Sequence, residues 1–86
     1  MKRKISVAFS PNGQILASGG PGSTIRLWDV RGRKEFKVLS GQFFDVVSSV
    51  AFSPDGKTLA SAHENGIIRL WDIASGRELN NLLTVV

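Results

Sequence analysis

Near the start of the chain, Ile5, Val7 and Phe9 alternate with Ser6, Ala8 and Ser10. A period of two with one strongly apolar face predicts a β-strand over 5–10. Pro11-Asn12-Gly13 ends it, because proline presets the first turn position and Asn-Gly tolerates left-handed backbone. A second strand is predicted over 14–18 and stops in the breaker cluster Gly19-Gly20-Pro21-Gly22. A third, over 24–29, is rich in β-branched and aromatic residues. Val30-Arg31-Gly32-Arg33 turns the chain into a fourth strand over 34–39, which is more polar, as an outer strand should be.

The same pattern then starts again. Val7-Ala8-Phe9-Ser10-Pro11 reappears as Val50-Ala51-Phe52-Ser53-Pro54, and Ile25-Arg26-Leu27-Trp28-Asp29 as Ile68-Arg69-Leu70-Trp71-Asp72, both at an offset of 43. Two separate motifs with one offset mark an internal repeat, and the 86-residue length is twice that period. Two units follow, 1–43 and 44–86. The second predicts strands over 48–53, 58–62, 67–72 and 77–83, separated by Pro54-Asp55-Gly56, Glu64-Asn65-Gly66 and Ala74-Ser75-Gly76. The link over 40–47 holds Phe43-Phe44-Asp45-Val46-Val47, apolar enough for a loop that it is expected to pack. No helical period occurs, so the class is all-β. Four antiparallel strands per repeat, with apolar residues on both faces of the inner ones, describe a sheet stacked on both sides. That is a propeller blade between two neighbours.

Composition narrows what can hold such a chain together. At this length folding buries only about 60–65% of the unfolded surface, so the core is marginal without help. There is no cysteine, and the one histidine, His63, cannot build a zinc site alone. No cofactor is implied. Apolar runs fall far short of the roughly 20 residues of a membrane span, and the segment after Met1-Lys2-Arg3-Lys4 is too short and polar for a signal-peptide core. The expectation is a cytoplasmic protein. The net charge of +4 permits an acidic partner without requiring one. Lys2, Arg3 and Lys4, like Arg31, Arg33 and Lys34, read first as solvated terminus and turn.

The stretch Val50-Ala51-Phe52-Ser53-Pro54-Asp55-Gly56-Lys57-Thr58-Leu59-Ala60-Ser61, together with Ile68-Arg69-Leu70-Trp71-Asp72, resembles the WD40 repeat family. The resemblance covers essentially the whole chain. It implies a β-propeller, a role in protein interaction and no intrinsic catalysis. The chain also departs from the family pattern. Gly41-Gln42 replaces the usual Gly-His pair before the first strand, and Gly22 and Asn65 replace an Asp six residues before the Trp. In the family that His and Asp join a Ser or Thr and the Trp in a buried network. Here the resemblance retains Ser18 with Trp28 and Ser61 with Trp71, so a partial network is expected.

As structural blade residues, Trp28 and Trp71 are expected to wedge between blades. Asp29 and Asp72, at strand ends, are expected to accept turn amides and not to form a catalytic dyad. His63 and Glu64 follow the second strand of their repeat, with no nucleophile, metal set or oxyanion motif beside them. The resemblance puts them in a loop on the face commonly used for ligands, which makes them weak binding candidates. Gly19-Gly20-Pro21-Gly22-Ser23 lacks the Gly-Lys-Ser/Thr ending of a phosphate loop and reads as a flexible turn.

Two blades cannot close a ring, and each leaves an apolar face open. Shifted by 43, Met1 falls on Phe44 and Val86 on Phe43, so a second copy can continue the repeat where the first ends. Copies then add head to tail, with the Val86 carboxylate near Met1, Lys2, Arg3 and Lys4 of the next one. Propellers of about 4 to 8 blades are known, and two blades per chain allow only even numbers. The expectation is an eight-bladed cyclic tetramer, with a six-bladed trimer as alternative. Functionally this is a self-assembling, non-catalytic scaffold for proteins or peptides. Two alternatives stay open. One is an excised or engineered unit with no evolved ligand beyond self-assembly. The other is a non-specific polyanion or nucleic-acid binder through the basic rim, for which stacking aromatics are absent.

Overall fold

A computed structural model describes residues 5–20, 24–40 and 46–83. It holds eight strands: β1 (Ser6–Phe9), β2 (Ile15–Gly19), β3 (Thr24–Asp29), β4 (Lys34–Ser40), β5 (Val47–Phe52), β6 (Thr58–His63), β7 (Ile67–Asp72) and β8 (Glu78–Leu83). They form two four-stranded antiparallel sheets, in the orders β1-β2-β3-β4 and β5-β6-β7-β8. The bulges repeat too, at Leu27/Trp28 in one sheet and Leu70/Trp71 in the other. No helix among the described residues is long and apolar enough to cross a membrane.

The two first hairpins show why equal sequence gives equal structure. Gly13 and Gly56 both have φ of 74°, where an L side chain is strained. Their amides donate to Ser10 O and Ser53 O, each at 2.9 Å. Ser10 and Ser53 then use their hydroxyls twice, donating to Asn12 Oδ1 or Asp55 Oδ1 and accepting the amide of Ile15 or Thr58. The turn carries one design with a neutral acceptor in the first repeat and an ionised one in the second.

Most predicted bounds shift by one residue. The shift at the end of β6 matters. His63, expected in a loop, is the last residue of that strand and pairs with Val47. β5 correspondingly begins at Val47. The apolar link is therefore partly strand, while 41–45 lie outside the described residues. So do Lys2, Arg3, Lys4, Met1 and Val86, and with them the expected basic rim and subunit junction.

One core lies between the sheets. The first contributes Ala17, Ile25, Leu27 and Leu39, and the second Val47, Val50, Leu59 and Trp71, with Ile73 beyond β7. Strand β1 packs against β5. The polar crossings are few and specific. Val50 N donates to Ser6 Oγ at 3.2 Å, and Val47 N donates to Gly20 O at 3.1 Å. Lys37 Nζ of β4 donates to Ala74 O at 2.7 Å and Ile73 O at 3.3 Å in the turn after β7. Its stem lies over Gly76, where an added Cβ would come within 3.1 Å of Lys37 Cδ.

Candidate functional site

Strands β3 and β7 share Ile-Arg-Leu-Trp-Asp but bury opposite faces. In β3 the buried residues are Ile25 and Leu27, while Arg26 is exposed and Trp28 half-buried. In β7 the buried residues are Arg69 and Trp71, while Ile68 and Leu70 are half-buried. Successive strand residues point to opposite sides, so each sheet has two interior-quality faces. One carries the tryptophan, the other the small and branched residues. The first sheet's branched face is packed on the second sheet's tryptophan face. The remaining two faces are open.

The open tryptophan face, on the first sheet, contains Val7, Phe9, Leu16, Ser18, Arg26 and Trp28. Val7 is 56% exposed and its counterpart Val50 only 6%. Phe9 is 62% exposed, whereas Phe52 packs against the core. Phe9, Leu16, Trp28 and Arg33 are among the residues that line a shallow hollow of about 350 Å³. The open branched face, on the second sheet, carries Ala51, Ala60, Ile68 and Leu70, whose counterparts Ala8, Ala17, Ile25 and Leu27 belong to or pack on the core.

Polar chemistry on the tryptophan faces is also duplicated. Trp28 Nε1 donates to Ser18 Oγ at 3.0 Å and Trp71 Nε1 to Ser61 Oγ at 2.9 Å. Arg26 pairs with Glu35 at 2.6 Å and Arg69 with Glu78 at 2.8 Å, but the guanidinium side chains are 50% and 9% exposed. Screening by water leaves the outer pair little energetic weight, and burial raises the stakes for the inner one. The sequence reading missed both pairs. Their shared offset of 43 was the available signal, since Arg26 to Arg69 and Glu35 to Glu78 repeat together.

His63 differs from its expected place. Its side chain is 5% exposed, and Nε2 lies 2.9 Å from Ser61 Oγ. Trp71, Ser61 and His63 therefore form a buried chain of hydrogen bonds. The histidine comes from β6 itself, two residues after Ser61, and so on the same face. Burial explains the correction: pairing with Val47 draws the residue into the sheet, whereas Glu64 stays exposed in the following turn. His63 is not a rim group open to solvent.

Asp72 and Asp29 both sit at strand ends. Asp72 Oδ2 accepts the Ser75 amide at 3.0 Å, and bonding from the Ser75 hydroxyl and amide lowers its carboxyl pKa below the usual value. The Asp29 carboxylate lies against Gly32, where an added Cβ would come within 2.8 Å of Oδ2. Asp55 is lowered as well, first by the Ser53 hydroxyl and then by the Lys57 amide. A carboxyl depressed in the folded state adds stability above its unfolded pKa, and that contribution is lost as pH falls through the folded value. Asp55→Asn should therefore flatten the acid limb of the stability curve, since Asn12 holds the matching turn without a charge. Urea melts at about pH 3 and 7 check this. An unchanged difference between the two pH values would show that the turn carboxylate does not contribute.

Among the described residues no group of three or more His, Cys, Asp or Glu gathers as a metal site would require. What the arrangement offers is adhesive surface: two open faces, each the counterpart of one already buried.

The model of the family described as WD domain, G-beta repeat, matches residues 2–29 and 33–72. A curated relative, the general transcriptional corepressor TUP1 of Saccharomyces cerevisiae, is 44% identical over 43 residues. That alignment covers 50% of this chain and 6% of the relative's length.

Proposed function

The chain belongs to the WD40 repeat family, and on that premise we propose that it is a propeller scaffold completed by further copies of itself. The open tryptophan face of blade 1–43 takes the open branched face of blade 44–86 from the next copy. WD40 repeats serve as protein-interaction scaffolds, so the reading is non-catalytic. A relative named as a transcriptional corepressor supports an interaction role, though the chain spans only 6% of it.

One observation carries the proposal: two strands that share Ile-Arg-Leu-Trp-Asp bury opposite faces within one chain. The buried junction is a ready template for the missing one. Counterparts by sequence stand on both open faces, and the same bulge shapes both sheets. Large exposed apolar side chains on one face are the mark of an interaction surface. A head-to-tail contact closes into a ring when the rotation per copy divides a full turn. We favour four copies and eight blades, with three copies and six blades as the alternative. Such a ring would offer the same loop surface several times around one axis, which suits multivalent capture of peptides or proteins.

Native mass spectrometry and sedimentation of the chain test this. The expected result is a single closed species with an integral number of copies above two. A stable monomer at micromolar concentration overturns it. That monomer would count equally against the excised or engineered unit whose one activity is self-assembly.

A further inference from the structure

Shifted by 43, His63 falls on Gly20. The second blade thus carries an imidazole ring at the position where the first blade has a glycine. Around that place, Ile5, Ser18, Gly19, Gly20, Thr24, Arg26 and Trp28 line a cavity of about 310 Å³. Ser18 and Trp28 keep the geometry of their counterparts, with Trp28 Nε1 donating to Ser18 Oγ at 3.0 Å against 2.9 Å in the second blade.

From this we propose that the cavity is a binding slot for an imidazole ring. Two observations carry it. In the second blade the ring sits 2.9 Å from Ser61 Oγ, beside the tryptophan that bonds the same hydroxyl, so the ligand's pose is already realised once in the molecule. In the first blade the equivalent hydroxyl is half used. Among the described residues, Ser18 Oγ accepts from Trp28, and its own proton has no side-chain or backbone acceptor. A neutral imidazole nitrogen accepts that proton, while the ring's apolar edge meets Ile5 and Trp28. The cavity is larger than one ring and open to solvent, so the imidazole can be a free heterocycle or the histidine of a partner peptide. The slot belongs to the first blade alone. The slot lies on the tryptophan face that the proposed assembly would cover, so it is titrated at a concentration where copies are apart, and its outcome is read separately from that of self-assembly.

The test uses the full chain labelled with nitrogen-15. Its two tryptophans give two indole N–H signals, assigned with Trp28→Phe. The probes are imidazole, a capped Gly-His-Gly peptide and a capped Gly-Ala-Gly control, about two pH units above the ordinary histidine value of about 6.5. The expected result is a saturable shift of the Trp28 signal, on the order of millimolar for so small a ligand, while Trp71 stays still. Response to the histidine peptide but not its alanine control assigns the slot to a partner's histidine. Response to the free ring alone assigns it to a small heterocycle. Gly20→His should fill the slot from within and abolish the shift. If that variant does not fold, the titration of the unaltered chain decides by itself. Absence of a saturable Trp28 shift with either probe, or equal movement of both indoles, overturns the proposal.

Discussion

Trp71→Ala is expected to bring the chain to the edge of unfolding, at a cost of about 3–5 kcal/mol. The indole is fully buried where the second sheet packs on the first. Its removal leaves a cavity in the core beside its cross-strand partner Leu59 and strips Ser61 of a donor. A chain of 86 residues has a total stability of only about 4–13 kcal/mol at typical values per residue. The loss is therefore a large share of the whole. The molecule contains its own control. Trp28 has the same strand position and the same serine bond, but is only half-buried. Trp28→Ala should lower the unfolding midpoint of the separated chain far less. Thermal and urea melts of both variants, at a concentration where copies are apart, read the contrast. Equal midpoints would mean that the two faces are covered alike, and the assignment of open and buried faces would fail.

That contrast also marks where sequence reading stops. The strands, their order along the chain and their turns follow from alternation and from the offset between the two copies of Ile-Arg-Leu-Trp-Asp. The phase of burial does not. In β3 and β7 five of the six residues are the same, both faces carry apolar residues, and the neighbouring sheet decides which face is covered. No local property of the strand contains that information. It belongs to the number of sheets present and their order.

His63 fails to show itself for a different reason. Its neighbours Glu64, Asn65 and Gly66 carry a strong turn signal, and polarity pulls the histidine into the same loop when the chain is read linearly. The contrary signal was present in the spacing: Ser61 and His63 are two apart, so a strand reaching to 63 puts them on one face. The deciding contact is long-range, since Val47 pairs with His63 only when β5 lies alongside β6. Lys37 is the same kind of case. It reads as an outer-strand lysine, yet its ammonium binds carbonyls more than thirty positions away because Gly76 leaves room for its stem.

The face assignment makes its strongest prediction about mixtures. Phe9→Glu places a charge on the open tryptophan face, and Ala51→Glu places one on the open branched face. Both residues are exposed in the separate chain, so both variants should fold. Their counterparts Phe52 and Ala8 pack against the core, so either charge would be buried at a junction between copies. Burying an unpaired carboxylate costs several kcal/mol, which weakens association roughly a thousandfold or more. Every junction uses one face of each kind. Each variant alone should therefore be monomeric, because all of its junctions contain the charge. Mixed in equal amounts, the two still own one intact junction: the tryptophan face of the Ala51→Glu chain against the branched face of the Phe9→Glu chain. Growth then stops, because the remaining ends both carry charges. The expected product is a heterodimer of one copy of each variant, visible by native mass spectrometry. If like faces paired instead, Ala51→Glu alone would still associate through its tryptophan faces, and mixing would produce nothing new. That outcome would overturn head-to-tail closure while leaving the blade architecture intact.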